Sequence, residues 1–260
     1  MTAPFGRRRC EVVSNEPAGL YRLVEASDTE GPRPSAGQFY MLAAEHGWGG
    51  ADGRPHLARA FSVCRVRGER LGFLVDPIGP GTERLAELEP GEGLWLVGPL
   101  GIGFSAPAQS ARPVLVGGGV GLAPLVILAE ELREAGRDPL VLAGFRSAGH
   151  AGAAALVGPV ALATDDGSAG HHGLVTELLS RELPENPAVY ACGPPAMLES
   201  VRSLCSEWAV PAELALEEAM ACGFGACFGC VVRTRAGFRR ICVDGPVLAA
   251  ADLDEAWVVH

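Results

Sequence analysis

The stretch that decides the fold is Val114-Leu115-Val116-Gly117-Gly118-Gly119-Val120-Gly121-Leu122-Ala123-Pro124-Leu125. Its apolar start predicts a buried strand, its glycines predict a tight turn, and Pro124 suits the first turn of a helix. Such glycines let the pyrophosphate of a dinucleotide approach the backbone at the helix N-terminus. The candidate positions are Gly117, Gly118, Gly119 and Gly121. Because the loop is not a strict GxGxxG, a purely structural strand–helix turn stays open as the alternative.

The alternation continues on both sides of this loop. We expect a helix over residues 123–135, a strand over 139–145, a strand over 188–192 and a helix over 196–205. Strands that alternate with helices predict a parallel, doubly wound sheet, which we place at residues 109–212. Since the carboxyl ends of parallel strands share one crevice, Cys192-Gly193-Pro194 and Phe145-Arg146-Ser147 should lie beside the glycine loop, the latter near a nucleotide ribose.

Residues 1–108 show a different pattern, in which short apolar runs are separated by Gly, Pro and polar residues. This pattern predicts a β-barrel or sandwich. One strand carries Arg59-Ala60-Phe61-Ser62, where Arg can pair with a pyrophosphate, Phe can line a ring system and Ser can hydrogen-bond to a flavin edge. Gly79-Pro80-Gly81-Thr82 opens a short helix, a second possible phosphate seat that Thr82 can cap. An ordinary surface strand could also carry the four-residue pattern.

Residues 213–260 contain a cluster of cysteines. Cys222, Cys227, Cys230 and Cys242 follow the spacing C-x4-C-x2-C-x11-C, whose first part is the plant-type spacing of a [2Fe–2S] cluster. Intervening glycines would let backbone N–H groups turn toward the sulfurs. A structural zinc site and unliganded buried thiols are the alternatives.

The remaining cysteines are scattered. Cys10, Cys64 and Cys205 are expected to be packed small hydrophobes, and Cys192 could lie near a nicotinamide. Clustered rather than evenly spread cysteines favour a reducing compartment over a disulfide framework.

Charge and hydropathy narrow the function further. The formal charge of −10 argues against nucleic acid as a partner. No apolar stretch is long enough to span a bilayer and the first residues lack a secretion signal, so we expect a cytoplasmic protein without membrane contact. His171-His172 is expected to be solvated, and Asp165-Asp166 could form a turn or contact a nucleotide.

Together these motifs resemble the ferredoxin–NADP reductase superfamily, in which a flavin-binding β-barrel precedes a nicotinamide-binding domain. Arg59–Ser62 is similar to its R-x-x-S motif, Gly117–Pro124 to its glycine loop, and Cys192–Pro194 to its C-G-P motif. Within it, nearly the whole chain is similar to the electron-transfer subunits of NAD-dependent, type B dihydroorotate dehydrogenase. The most telling segments are Thr164–Ser168 with Gly173–Thr176, Leu216–Gly223 and Cys242–Val247.

The resemblance implies FAD, a [2Fe–2S] cluster and NAD as redox groups, with no residue of this chain acting as an acid or base. The implied FAD positions are Arg59, Ala60, Phe61, Ser62, Leu74, Val75, Asp76, Gly81 and Thr82. The glycine loop and Cys192, Gly193 and Pro194 would face NAD, and Cys222, Cys227, Cys230 and Cys242 would bind the cluster.

The resemblance also implies a partner and a direction of electron flow. Dihydroorotate would reduce FMN in a separate catalytic subunit, the cluster would relay single electrons, and FAD would collect two and pass them to NAD⁺. Two copies of each chain would form a heterotetramer that serves pyrimidine (UMP) biosynthesis.

The sequence departs from the family at three places. Ala60-Phe61 stands where the family often has proline or another small apolar residue followed by a Leu or Ile, Ala219 replaces an arginine, and Glu45–Asp52 is inserted before the flavin motif.

Two rival functions follow from the same residues. Related reductase subunits of sulfide dehydrogenase or transhydrogenase type replace the first cluster cysteine with Asp, so Cys222 favours the dihydroorotate system. A non-redox binding module with structural zinc is the rival from another class.

Overall fold

A closed antiparallel barrel is formed by the first six strands of the computed structural model, which describes residues 6–49 and 55–257. Its strand order is β1-β2-β5-β4-β3-β6, and apolar side chains point into a shared core. The strands are β1 (Arg8–Ala18), β2 (Tyr21–Ser27), β3 (Phe39–Ala44), β4 (Arg59–Arg67), β5 (Arg70–Val75) and β6 (Gly93–Leu100). The predicted barrel is therefore confirmed. Of the predicted insertion at 45–52, residues 45–49 are described and residues 50–52 lie outside the described residues.

One short helix, α1 (Pro80–Ala86), interrupts the barrel strands. It places Leu85, and just beyond its end Leu88, in the barrel core. Thr82 caps the helix from inside its first turn rather than before it. Its hydroxyl accepts hydrogen bonds from the backbone N–H groups of Ile78 (3.0 Å) and Gly79 (3.1 Å).

The next part of the chain forms a sheet with helices on both faces, as the alternation predicted. Its elements are β7 (Arg112–Gly118), α2 (Ala123–Glu134), β8 (Leu140–Phe145), α3 (Ala148–Ala151), β9 (Ala161–Thr164), β10 (His171–His172), α4 (Val175–Glu182), β11 (Pro187–Cys192), α5 (Pro195–Glu207) and β12 (Ala212–Ala215). Strands β7 to β12 are parallel in the order β10-β9-β8-β7-β11-β12. The glycine loop follows β7 as a 3₁₀ turn over Gly119–Leu122.

The last segment adds a hairpin and one further strand. Its elements are β13 (Val231–Thr234), β14 (Gly237–Arg240), α6 (Ile241–Asp244) and β15 (Val247–Ala249). Strand β15 pairs antiparallel with β12, so the sheet is not parallel throughout, and part of the segment that sequence assigned to a separate module completes its edge.

Two hydrophobic cores hold these parts together. One joins the barrel to α2, and the other joins α4 and α5 to Cys230, Val232 and Ile241 of the C-terminal segment and to Phe39 and Met41 of the barrel. The cysteine segment is thus packed against both other parts. Within the described ranges, no helix is both long and apolar enough to cross a bilayer.

Candidate functional site

A cavity of about 320 Å³ lies where the barrel, the sheet and the C-terminal segment meet. Eight of the residues predicted from the sequence line it: Arg59, Ala60, Phe61, Ser62, Leu74, Asp76, Thr82 and Cys192. The first four are the first four residues of strand β4 and are not buried, unlike Val63 and Cys64, which follow them in the barrel core. The volume and the mostly apolar lining suit a planar ring system.

Two predicted flavin positions do not line the cavity. Val75 is fully buried in the barrel core. Gly81 lies beneath the guanidinium of Arg59, and a Cβ at Gly81 would stand 2.9 Å from Nε of Arg59. Because Gly81 has no side chain, it leaves room for the side chain of Arg59.

Sequence reasoning missed several lining residues. They are Phe39, Ala58, Ile78, Val120, Ala123, Ala215, Leu216, Glu217, Glu218, Ala219, Met220 and Pro246. Leu216–Gly223 carried a signal, since it was singled out as typical of the family, but nothing in its residue types indicated that the stretch from Ala215 to Met220 forms a cavity wall. It leaves the carboxyl end of β12 and runs past the cavity toward the cysteines.

A carboxyl group exposed to the cavity faces a buried thiol in this wall. Oε1 of Glu217 lies 3.9 Å from Sγ of Cys192. Desolvation by the surrounding cavity wall raises the pKa of Glu217, and burial followed by the nearby Glu217 raises the pKa of the Cys192 thiol. Cys192 is therefore a protonated thiol at neutral pH, not a reactive thiolate.

The glycine loop and the Cys192-Gly193-Pro194 turn lie side by side, as predicted. They follow the paired strands β7 and β11, in which Gly117 is opposite Cys192. A Cβ at Gly121 would stand 2.6 Å from the backbone of Gly193, and one at Gly118 would stand 2.5 Å from Sδ of Met197. These glycines are needed for the close approach of the two loops, whether or not a nucleotide binds there.

Two other predicted positions have local roles. Asp166 accepts hydrogen bonds from the N–H (3.0 Å) and the hydroxyl of Ser168, and these bonds lower the pKa of its carboxyl group. Asp166 thus stabilises a turn. His171 is half-buried rather than solvated, and its Nε2 lies 2.7 Å from Oε2 of Glu177.

The four clustered cysteines are neighbours in two pairs. The Cys227 thiol helps to lower the pKa of Cys222, and the Cys230 thiol helps to raise the pKa of Cys242. Across residues 6–49 and 55–257, no three His, Cys, Asp or Glu side chains converge as a ready-made metal site. The three cysteines that were expected to be packed small hydrophobes are buried, as predicted: Cys10, Cys64 and Cys205.

Backbone N–H groups point at these sulfurs, as the glycine spacing predicted. Burial alone would raise the pKa of Cys222, but the N–H groups of Phe224, Cys227 and Ala226 outweigh it and bring that pKa to about 6. The N–H of Gly225 points toward Cys242. Four thiols with N–H donors around them suit an iron–sulfur cluster, whose thiolate ligands such bonds stabilise.

The sequence matches that of known proteins over most of its length. A family model described as the iron–sulfur cluster binding domain of dihydroorotate dehydrogenase B matches residues 217–254. A Clostridium acetobutylicum protein named dihydroorotate dehydrogenase B (NAD(+)), electron transfer subunit, is 38% identical, with 90% of this chain and 91% of that protein aligned. The protein of the same name from Geobacillus kaustophilus is 37% identical over 96% of this chain and 99% of its own length.

Solved structures agree on the fold. The structure of an NADH-dependent reduced ferredoxin-NADP oxidoreductase superposes with a TM-score of 0.81 at 25% identity, covering 95% of this chain and 90% of that one. The ferredoxin reductase of carbazole 1,9a-dioxygenase, at 22% identity and a TM-score of 0.68, covers 81% of this chain and 68% of its own and supports the fold alone. The predicted family is confirmed: the chain belongs to the electron transfer subunits of dihydroorotate dehydrogenase B (NAD⁺).

Proposed function

We propose that this chain carries electrons from an FMN-containing dihydroorotate dehydrogenase catalytic subunit to NAD⁺, through a [2Fe–2S] cluster and FAD, in pyrimidine biosynthesis. One observation carries the proposal: the cavity wall and the cysteine loop are continuous. Met220 lines the cavity and Cys222 follows two residues later, so their Cα atoms are at most about 7.6 Å apart. A flavin in the cavity and a cluster on the cysteines would lie within electron-transfer reach.

The barrel side of the cavity would bind FAD, which exchanges two electrons with a nicotinamide and single electrons with a cluster. Phe61, Ser62 and Leu74 would contact the ring system, and Arg59 would pair with the pyrophosphate. The proposed FAD positions are Arg59, Ala60, Phe61, Ser62, Leu74, Val75, Asp76, Gly81 and Thr82. Glu217, which is exposed to the cavity, and the buried Cys192 would form the opposite wall.

The shared edge of β7 and β11 would bind NAD. Ligands of open α/β sheets bind beyond the carboxyl ends of the strands, where the strand order reverses. Here the order reverses between β7 and β11, next to the cavity that Cys192 also lines. The proposed positions are Gly117, Gly118, Gly119, Gly121, Cys192, Gly193 and Pro194.

Cys222, Cys227, Cys230 and Cys242 would hold the cluster. Cys227 is exposed and Cys222 partly so, whereas Cys230 and Cys242 are buried. One pair therefore faces outward and the other faces the protein interior. This arrangement suits a relay that takes electrons from outside the chain.

The surface around the outward cysteines suits a protein partner. Phe224, Phe228 and Phe238 are 50%, 63% and 76% exposed. An exposed aromatic cluster beside a redox site is typical of an interface. We therefore propose that the catalytic subunit docks here, that two copies of each chain form the complex, and that the complex is cytoplasmic, where thiols stay reduced for cluster assembly.

A second candidate is the reductase subunit of a transhydrogenase-type complex. It is favoured by the structural match to the NADH-dependent reduced ferredoxin-NADP oxidoreductase. The partner and the electron donor distinguish the two functions.

The division of the chain into 1–108, 109–212 and 213–260 likewise stays a proposal, because β12 and β15 tie the last two parts into one sheet.

The test is co-purification of the chain with its catalytic partner, followed by an assay of dihydroorotate-dependent NAD⁺ reduction. We expect activity in the wild-type complex and a loss of more than about hundredfold in Cys227→Ser. NADH-driven dye reduction, which needs only the flavin and NAD sites, should persist in that variant. Cys205→Ala, which removes a buried thiol of α5 outside the cysteine loop, is the control. Activity with another donor but none with dihydroorotate would reject the proposed substrate.

A further inference from the structure

The described part of the segment inserted before the flavin motif, Glu45–Gly49, packs on the barrel through Trp48. The N–H of Gly49 donates to the carbonyl of Pro55 (2.7 Å). Arg84 of α1 donates from Nε to the carbonyl of His46 (3.0 Å). Gly47 adopts a φ of +73°, and a Cβ there would stand 2.9 Å from the Arg84 guanidinium. The segment is thus fixed over the helix that opens with Gly81 and Thr82.

This arrangement positions the ring of Trp48. The indole is partly buried against the barrel core, and its centroid lies 5.8 Å from Cζ of Arg59. Its Nε1 atom is buried and has no hydrogen-bond partner among the described residues. The N–H edge of the ring is therefore turned away from solvent.

Arg59 lies between this indole and the flavin cavity. Arg59 lines the cavity, whereas Trp48 does not. One edge of the guanidinium donates to the carbonyl of Leu57 (2.7 Å), and the rest lies over Gly81. Both along the chain and through the contacts, Arg59 therefore separates Phe61 and Ser62 from Trp48.

We propose that Trp48 binds the adenosine half of FAD. The inference rests on the proposed FAD site: with the ring system at Phe61 and Ser62 and the pyrophosphate at Arg59, the adenosine lies beyond Arg59. An indole offers a flat face for stacking on a purine. Trp48 thereby distinguishes FAD, which has an adenosine, from FMN, which ends at its phosphate.

The test compares the affinities of the flavin-depleted full chain for FAD and for FMN. In Trp48→Leu, which keeps apolar packing but removes the ring, we expect FAD affinity to fall about tenfold and FMN affinity to stay within about twofold. Trp48→Phe keeps an aromatic face and should stay within about threefold for FAD. Trp95→Leu is the matched control, because Trp95 also stacks on an arginine, Arg7 (4.1 Å), on the barrel but does not line the cavity. It should change neither affinity.

A second measurement does not depend on the Leu variant folding. The difference in tryptophan emission between wild type and Trp48→Phe reports Trp48 alone, and FAD should quench it more strongly than FMN. Equal quenching by both flavins, an FAD affinity in Trp48→Leu within twofold of wild type, or an equal loss for both flavins would each overturn the proposal while leaving the FAD site intact. A wild-type chain that binds neither flavin would instead reject the proposed function, and this inference with it.

Discussion

Glu217 is a carboxyl group that lines the cavity next to the Cys192 thiol. Desolvation by the cavity wall raises its pKa, so the folded chain keeps a proton there that the unfolded chain loses above a pH of about 4.3. Between these two pKa values the folded state binds more protons, and its stability falls as the pH rises. The neutral form that desolvation favours is also the form that avoids a charge beside the proposed flavin.

Glu217→Gln should therefore remove a pH-dependent loss of stability. Its amide has a similar shape but cannot ionise, so the free energy of unfolding of the variant relative to wild type should increase from pH 5 to pH 8. Because Glu217 is more than a third exposed, solvent screening keeps this difference below the ~1.4 kcal/mol that each unit of pKa shift would give a fully buried group. Urea unfolding of the flavin-depleted chain at four pH values measures it.

The matched control is Glu134→Gln, which changes an exposed carboxyl group at the end of α2. Its stability curve should run parallel to that of wild type over the same pH range. If the Glu217→Gln curve also ran parallel, Glu217 would already be ionised in the folded protein, and the neutral wall would not exist.

At the scale of secondary structure elements, the hairpin β13–β14 is the most unusual part of the chain. It carries Arg233, Arg235, Arg239 and Arg240 around the exposed Phe238, although the chain as a whole has a formal charge of −10. Arg240 also stacks on Phe228, with Cζ 4.9 Å from the ring centroid. A cationic, aromatic face on an acidic protein fits a partner with an acidic rim around an apolar patch.

Reversing charge on this hairpin should weaken docking of the catalytic subunit. In Arg235→Glu/Arg239→Glu we expect the dissociation constant to rise about tenfold or more at low salt, mainly through slower association, with a smaller change at high salt. Surface plasmon resonance at two ionic strengths measures both rates.

The hairpin β4–β5 supplies the control, because Arg67 and Arg70 flank its turn on another face of the barrel. Arg67→Glu/Arg70→Glu makes the same change in net charge and should leave the association rate near wild type. Equal effects of the two double variants would mean that net charge, not this surface, sets the rate.

Sequence patterns predicted the elements that are long and regular. Strands β7, β8 and β11 and helices α2 and α5 were expected within one or two residues of their observed ends, because a buried apolar run bounded by glycine or proline has few other structures. Strand β10, with two residues, and β15, with three, are too short to show a period. They form because neighbouring strands offer free edges, which is a tertiary effect.

The candidate site was predicted to a similar extent. Motif residues such as Arg59 and Ser62 line the cavity, because a motif records which side chains face a ligand. The wall from Ala215 to Met220 was not predicted, since its position depends on how β12 docks on the sheet. The cysteine spacing predicted the cluster segment, but the sequence did not indicate that β15 would complete the sheet edge.

At the scale of the whole molecule, the barrel and the sheet must keep a fixed relative position for the cavity to exist. One contact between them is a close approach of two backbones: the N–H of Leu20 donates to the carbonyl of Gly149 (2.9 Å). A Cβ at Gly152 would stand 2.6 Å from Cα of Gly19. Tyr21 stacks nearby on His150, with ring centroids 5.5 Å apart. The barrel and the sheet thus touch at a point where no side chain fits.

Gly152→Ala should change how the barrel and the sheet fit together. The φ of Gly152 is −55°, which any residue adopts, so the added methyl group acts only through its clash with the Gly19 backbone. Overpacking of this kind typically costs about 1–3 kcal/mol, and relief requires the barrel to move away from the sheet. We expect a matching loss in the free energy of unfolding and slower reduction of bound flavin by NADH in stopped-flow experiments, with FAD affinity nearly unchanged.

Gly149→Ala is the control from the same segment, because its methyl group meets mainly the flexible Leu20 side chain, at 3.1 Å. A variant as stable as wild type but slow to reduce its flavin, or one destabilised with an unchanged rate, would show that the relative position of the two parts does not couple stability to electron transfer.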